Sequence, residues 1–204
     1  MLRYNPGMRT GLVVLAVIAI ILIGGIMWGV GVNNDFVRSE QLVNEKWAQV
    51  QNVYQRRADL IPNLVETVKG FATQERTVLE EVTKARASVA GIKATPELLN
   101  DPAAFKKFQD AQAQLGGALS RLLVTVERYP ELKSNQNFLA LQSQLEGTEN
   151  RIAVERMRFN EAVRDYNTRL RLFPGSIVAS FRGFKEKAYF EATPGSEQPP
   201  KVKF

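Results

Sequence analysis

The most chemically distinctive stretch is QRRADLIPNL (residues 55–64), which places Arg56, Arg57 and Asp59 just ahead of Pro62. Two neighbouring guanidinium groups can bind a carboxylate or a phosphate, so one reading is a site for an anionic partner or a lipid headgroup. The other is a buried polar layer, because a charged residue at a core position can set helix register at some cost in stability. Arg57 falls on the apolar stripe of the predicted helix, which favours the polar layer.

A second candidate is the carboxylate pair Glu146 and Glu149, three residues apart on one predicted helix face. Paired acids can perform acid–base or metal chemistry, but the chain contains no His and no Cys. That absence removes the commonest general base, the thiol nucleophile and two of the main metal ligands. We therefore expect a protein that is not an enzyme and has no catalytic residue, no metal site and no cofactor.

The charge pattern argues against nucleic acid as a partner. Lys and Arg number 27 against 21 Asp and Glu, for a formal net charge of +6. These charges are interleaved in sign along the chain, as on a solvated helical face, and do not form a basic arm.

Residues 11–32 read GLVVLAVIAIILIGGIMWGVGV, a run of 22 residues without a charge. At ~1.5 Å per residue a helix of this length spans roughly 33 Å, enough to cross the bilayer core. A cleavable signal peptide is the alternative, but its apolar core is usually only ~7–15 residues long. We predict an uncleaved transmembrane anchor, with the lipid bilayer as its partner. Gly25 and Gly29 form a GxxxG pair at which two anchors could pack.

The basic residues that flank the anchor are evenly divided. Arg3 and Arg9 precede it, and Arg38 and Lys46 follow it closely. The denser, acid-free N-terminal flank favours an N-terminus inside the cell and a bundle outside.

After the anchor, apolar residues recur at alternating spacings of four and three, the 3.5-residue period of supercoiled helices. This predicts one unbroken helix from about residue 35 to 89, in which Pro62 weakens the turn at Ala58 without ending the helix. Asp101 followed by Pro102 predicts the start of a second helix, which Pro130 ends. A third helix follows from Asn135 to about residue 173. The expected fold is all-α: one transmembrane helix followed by a long antiparallel three-helix bundle, coiled-coil-like and up-down-up.

Six segments follow from this reading. They are a short basic flank (1–10), the anchor (11–32), a helical stalk continuous with helix 1 (33–58), the helical bundle (59–173), an amphipathic aromatic-basic segment (174–192) and a disordered tail (193–204).

The predicted register generates two interaction hypotheses. A second helix shorter than the first leaves the stalk without a partner in the chain, so its apolar stripe is expected to form the seam of a parallel homo-oligomer. The same register brings Glu75 beside Arg151 and predicts that they form a buried polar layer together with Arg57. The residues of the expected oligomer seam are Val43, Trp47, Val50 and Tyr54.

Three stretches resemble the LemA family of bacterial membrane proteins. They are residues 44–87, which include QRRADLIPNLVETVKG, residues 119–167, which include QLEGTENRIAV, and the closing FPGSIVASFRGFKEKAYFEA (173–192). The resemblance implies a membrane-anchored helical bundle in a bacterium, and hence a single-pass protein of the inner membrane. It implies no enzymatic reaction and no cofactor.

Two functions from different classes fit these observations. The first is a non-enzymatic, oligomeric structural or scaffolding protein of a bacterial membrane. The alternative is a binding adaptor that regulates an unidentified membrane-protein partner, such as a protease or a signalling kinase.

The basic-aromatic stretch 176–190 could lie on a membrane. The predicted register places it at the end of the bundle far from the bilayer, so a cap or a subunit contact is expected instead.

Overall fold

The computed structural model describes residues 6–72 and 74–191, with side chains from residue 11 onward, and all regular secondary structure in these ranges is helical. This confirms the all-α prediction, while the predicted tail, 193–204, lies outside the described residues. The helices are α1 (Pro6–Phe71), α2 (Arg76–Ala90), α3 (Pro102–Val126), α4 (Pro130–Lys133), α5 (Gln136–Arg171) and α6 (Gly175–Arg182), with a 3-10 helix at Pro96–Asn100.

Helix α1 contains both the anchor and the start of the bundle in 66 continuous residues. Among the described residues, it is the one helix long and apolar enough to cross a membrane, with a mean hydropathy of 2.8 over its most apolar window. None of that window is buried within the chain. A helix that is apolar all round and largely uncovered by the other described residues suits the interior of a bilayer.

The first helix does not run on to residue 89 as expected. It ends at Phe71 and α2 begins at Arg76, so the bundle has four long helices in the described part of the chain. The break falls just after Gly70, and glycine is a weak helix former. Lys69 lies in the last turn of α1, where a positive charge is favourable to the helix end. The 3.5-residue period places residues 71 and 75 on the apolar stripe, where buried side chains are expected. In the structure Phe71 is exposed and Glu75 is only half-buried.

Because of this break, α2 turns back along α1. Arg86 of α2 contacts the carbonyl of Ala58, and the Trp47 indole nitrogen donates to the carbonyl of Ala94, 3.1 Å away, just after α2. Helix α3 then runs parallel to α1, from Phe105 beside Trp47 to the distal turn, where the Tyr129 hydroxyl donates to Glu75.

Helix α5 returns antiparallel to α1 and ends near the anchor. Its 36 residues correspond to roughly 54 Å, enough to follow α1 down to Phe36, whose ring meets Tyr166. The three-helix, up-down-up arrangement is therefore replaced by four helices in up-down-up-down order. Residues 175–191 lie in the half of the bundle nearer the anchor, opposite to the expectation.

The interior is divided into two hydrophobic clusters. The cluster near the anchor is rich in aromatic rings, and the distal cluster is largely aliphatic. The larger aromatic members of the first are Phe36, Trp47, Tyr54, Phe105, Phe108, Phe159, Tyr166 and Phe190. Prominent members of the second are Ile61, Leu64, Val68, Leu115, Leu119, Leu122, Phe138 and Leu145.

The helix starts read from the sequence are confirmed. The Asp101 carboxylate accepts hydrogen bonds from the backbone N–H groups of Ala103 and Ala104 at 2.9 and 3.0 Å. The Asn135 side chain accepts from the N–H of Phe138 at 3.1 Å. Each cap satisfies backbone donors that have no partner within the helix.

Helix α1 continues through Pro62, as expected, and the structure supplies what the proline removes. Proline has no N–H, so the carbonyl four residues earlier, on Ala58, loses its helical hydrogen bond. Arg86 of α2 donates to that carbonyl from its Nε, 3.1 Å away. The proline is thus tolerated because the neighbouring helix provides a donor.

This pairing predicts an energetic coupling between Pro62 and Arg86. Replacing Arg86→Ala should destabilise the protein by about 1–2 kcal/mol, because a half-buried carbonyl loses a charged donor. In a Pro62→Ala background the restored N–H should satisfy Ala58, so the same Arg86 change should cost clearly less. The cycle is measured by denaturant unfolding in detergent, and equal costs in both backgrounds would refute it.

Candidate functional site

The predicted polar layer forms around Arg57, with different partners from those expected. The Arg57 side chain is only 4% exposed. Its Nη1 lies 2.9 Å from a carboxylate oxygen of Glu149, and its Nη2 donates to the Gln112 side-chain oxygen. The guanidinium carbon is 5.1 Å from the centre of the Tyr54 ring. Side chains from three helices meet here: Tyr54 and Arg57 from α1, Gln112 from α3 and Glu149 from α5.

The layer lies at the junction of the two hydrophobic clusters. On α1, Tyr54 belongs to the anchor-side cluster and Ile61 to the distal one, with Arg57 between them. A cleft of about 200 Å³ opens beside the layer, and Arg57 and Glu149 are among its lining residues. The Arg57 Nε is buried without a hydrogen-bond partner in the part of the chain that the structure describes. A charge held between two apolar clusters allows one relative register of the three helices, which is a structural role.

Glu75 and Arg151 do not form the expected pair. Glu75 lies at the distal turn, where Arg128 Nη2 is 3.2 Å from its carboxylate and Tyr129 donates to it at 2.9 Å. Arg151 is exposed on α5. The prediction is wrong because the break after Phe71 moves Glu75 to the tip of the bundle, far from the middle of α5.

The residues of the expected oligomer seam are covered by the chain itself. Trp47 is 1% exposed and packs against phenylalanine rings from α3, α5 and the C-terminal segment, defined here as residues 183–191. The premise of an exposed stalk stripe therefore does not hold, and residue 58 marks no boundary in the packing. The four seam residues, Val43, Trp47, Val50 and Tyr54, are all buried.

The C-terminal segment is held against the bundle by side-chain amides. Asn167 donates to the carbonyl of Lys187 at 2.9 Å and accepts from its N–H at 3.0 Å. Asn160, one heptad earlier on α5, makes the same pair of bonds with Phe190, both at 2.9 Å. Gln109 of α3 bonds the residues on either side of Phe190. These side-chain amides pair with the backbone N–H and C=O groups of the extended segment, as a neighbouring strand would in a sheet.

Lys187 anchors the middle of this segment. Its ammonium nitrogen lies 2.7 Å from a Glu40 carboxylate oxygen and 2.8 Å from the Asn100 side-chain oxygen. It also lies 5.6 Å from the centre of the Tyr166 ring. A buried lysine is tolerated here because a carboxylate, an amide oxygen and an aromatic face surround it.

Sequence reasoning missed the contacts of Asn160, Asn167 and Lys187 that hold the C-terminal segment, called here the clamp. One available signal was the recurrence of Asn160 and Asn167 at heptad spacing beside the apolar stripe of α5. Another was the two-residue spacing of positions 184, 186, 188 and 190, of which Phe184, Ala188 and Phe190 are apolar and Glu186 is polar. This spacing is typical of an extended segment rather than a helix.

The remaining candidates are engaged separately. Glu146 accepts a hydrogen bond from Gln142, while Glu149 pairs with Arg57, so the two carboxylates do not act together. Within the described residues, no group of three or more His, Cys, Asp or Glu side chains could hold a metal ion. In the anchor, an added Cβ at Gly25 or Gly29 would meet nothing within 4 Å.

Comparison with known proteins assigns the chain to a family. The LemA family matches residues 46–204. The chain belongs to the LemA family. The matched region begins one residue before Trp47. It includes the Arg57 layer, the amide side chains of Asn160 and Asn167, and the C-terminal segment that they hold. The LemA-type region is therefore the bundle, and its first helix continues directly into the apolar anchor.

Three relatives illustrate the similarity. Magnetosome protein MamQ of Magnetospirillum gryphiswaldense is 29% identical over 182 residues, covering 81% of this chain and 67% of the relative. Magnetosome protein MamQ 2 of Paramagnetospirillum magneticum is 28% identical over the same length, with the same coverage. Protein LemA of Metamycoplasma hominis is 22% identical over 164 residues, covering 80% of this chain and 71% of the relative. With the exposed apolar helix, these similarities fit a membrane protein.

The polar layer predicts unequal effects for the two carboxylates. Glu149→Ala should cost about 1–3 kcal/mol, because it leaves the buried Arg57 charge with a single polar partner. Glu146→Ala, on the same helix, is the matched control and should cost less than about 0.5 kcal/mol, because the Glu146 carboxylate pairs with the Gln142 side chain and not with a buried charge. Equal losses in urea unfolding would show that Arg57 does not depend on Glu149.

Tyr166 predicts an alkaline effect. Its buried hydroxyl has no hydrogen-bond partner among the described residues, and burial, followed by the nearby Glu40 charge, raises its pKa above the ordinary 10.0. Above pH 10.0 the unfolded chain loses this proton while the folded chain keeps it, so stability falls as pH rises.

Tyr166→Phe should therefore be neutral or mildly stabilising near neutral pH, and its advantage over the wild type should grow above pH 10.0. The measurement is the free energy of unfolding across that range. The control Tyr189→Phe removes a hydroxyl from an exposed residue and should follow the wild type. A Tyr166→Phe curve parallel to the wild type would contradict the prediction.

Proposed function

We propose that this protein is a non-enzymatic, membrane-anchored scaffold that holds a rigid helical bundle at the surface of a bacterial inner membrane and self-associates there. The observation that carries the proposal is the continuity of α1, which passes from the anchor into the bundle without a break over Pro6–Phe71. A helix without a hinge transmits the position and tilt of the anchor directly to the bundle.

The use of the polar groups supports a structural role. Arg57 sets the register of three helices, and Lys187 attaches the C-terminal segment to α1. The charge of each is met by a carboxylate of the same chain, Glu149 for Arg57 and Glu40 for Lys187, which favours a structural role even though Arg57 also lines the cleft described above. The MamQ relatives are named as magnetosome proteins, a name that states no reaction, which agrees with this role.

With the stalk stripe covered, we propose the exposed anchors as the contact surface for self-association. Gly25 is exposed on α1, and a second anchor could approach closely at its surface. Gly29 is half-buried and faces α6, so it contributes less to such a contact. We place the N-terminus inside the cell and the bundle outside, on the strength of the acid-free flank with Arg3 and Arg9.

An adaptor for another membrane protein is the second candidate. The observation that favours it is a groove of about 810 Å³ between α1 and α2, near the distal turn. Val65 and Leu79 contribute apolar surface to the groove, and Lys69, Arg76 and Glu80 contribute charges. A mixed groove of this kind could receive a helix of a partner such as a protease or a signalling kinase.

Light scattering of the full-length protein in detergent tests self-association. The wild type should be an oligomer, and Gly25→Ile should reduce it to a monomer by blocking close approach of the anchors. Gly24→Ile is the matched control, because it adds the same bulk about 100° around the helix, also in open space. It should leave the oligomer unchanged.

A monomeric wild type would overturn the self-associating scaffold and leave the adaptor. Crosslinking in native membranes, read by mass spectrometry, then identifies the partner. An oligomer that survives Gly25→Ile would keep the scaffold but exclude this face of the anchor.

A further inference from the structure

Helix α6 and the turn before it expose large apolar side chains. Phe181 is 92% exposed, Phe173 78% and Ile177 61%. Ile177 and Phe181 are four residues apart, so they lie on one face of α6. Exposed apolar groups clustered in this way mark a contact surface more often than a solvated one.

This surface lies beside the end of the anchor. Ile177 and Phe181 line a groove of about 550 Å³ with Ile26 and Val30 of α1. At its polar edge, Arg182 Nε donates to the side-chain oxygen of Asn33, 3.0 Å away. The apolar face of α6 is therefore continuous with the apolar surface of the anchor, and the polar contact begins where that surface ends.

The depth of the contact decides what covers it. Ile26 lies six residues before Val32, the end of the apolar run, which corresponds to about 9 Å along the helix. Helices that lie in the membrane interface bury their apolar face by about 5–10 Å. If residues 11–32 span the bilayer, a side chain at the level of Ile26 lies within its outer region.

The charges around α6 fit an anionic lipid surface. Residues 169–185 contain four basic residues and no acidic one. Arg171 is neutralised by Glu186, 2.7 Å away, whereas Arg169, Arg182 and Lys185 are exposed. Basic residues at this level would meet the lipid headgroups, where each contributes about 1 kcal/mol of attraction.

The bundle holds α6 in this position. The Phe184 ring, just after α6, stacks on Phe36 at 5.2 Å. At the start of α6, a Cβ on Gly175 would lie 3.0 Å from the Phe36 ring and would collide with the carbonyl of Arg169, so only glycine permits this close approach. The clamp around Lys187 fixes the chain that follows.

We propose that α6 is a second membrane contact: an interfacial helix whose Ile177 and Phe181 enter the leaflet from which the anchor emerges. The bundle then rests on the bilayer at two points, which would restrict its tilt as well as its position. This inference rests on the proposed function, because it requires that the anchor lies in a bilayer. It reverses the expectation that the aromatic-basic segment is far from the membrane, and the reversal follows from the direction of α5.

Spin labelling tests the proposal directly, since the natural chain has no cysteine to remove. Single variants Ile177→Cys and Phe181→Cys report on α6, and each keeps the other apolar residue. Ile21→Cys, in the exposed anchor, is the bilayer reference, and Val124→Cys, exposed on α3, is the aqueous reference. The labelled full-length proteins are reconstituted into vesicles of phosphatidylcholine and phosphatidylglycerol, and collision rates with oxygen and with a water-soluble nickel chelate are compared.

The ratio of oxygen to nickel collisions at residues 177 and 181 should be severalfold higher than at residue 124, and below that at residue 21. An aqueous ratio at both α6 sites, with residue 21 in the bilayer, would overturn the proposal and leave the anchored scaffold intact. Low collision rates with both reagents would also overturn it, in favour of contact with a second copy. An aqueous ratio at residue 21 would overturn the anchor itself and, with it, the proposed function.

Discussion

A helix that leaves a membrane with an apolar stripe along one side needs cover for that stripe, and here the same chain supplies it. Trp47 shows how completely this is done, because its indole packs against the rings of Phe105, Phe108, Phe159 and Phe190. These rings come from three separate parts of the chain. The return of α5 and of the C-terminal segment towards the anchor follows from this requirement.

Polar groups inside the bundle specify how its parts align. An apolar stripe alone allows neighbouring helices to slide by a heptad with little loss of contact. Arg57 with Gln112 and Glu149 removes that freedom in the middle of the bundle, and Arg86 does so where it satisfies the Ala58 carbonyl. Lys187 plays the same part for the C-terminal segment. Each group would lose its partner in a shifted register.

The chain enters the bundle at the anchor end and later returns to that same end, and this matters for function. Helix α1 enters from the anchor, and α5 brings α6 back to the same level, where Arg182 reaches Asn33. The distal turn near Glu75 is left as the part farthest from the anchor. Under the proposed scaffold role, this arrangement would hold the distal surface at a set distance from the membrane.

The local features of this protein could be read from its sequence. The uncharged run of residues 11–32, the 3.5-residue period and the caps at Asp101 and Asn135 depend on neighbours in the chain, and the structure agrees with them. The tertiary structure alone decided the register. A heptad pattern looks the same on both sides of a turn, so it could not reveal that the helix ends at Phe71. That turn gave buried Arg57 the partner Glu149, not Arg151, and brought the C-terminal segment to the anchor, because partners distant in sequence are chosen by packing and charge in three dimensions.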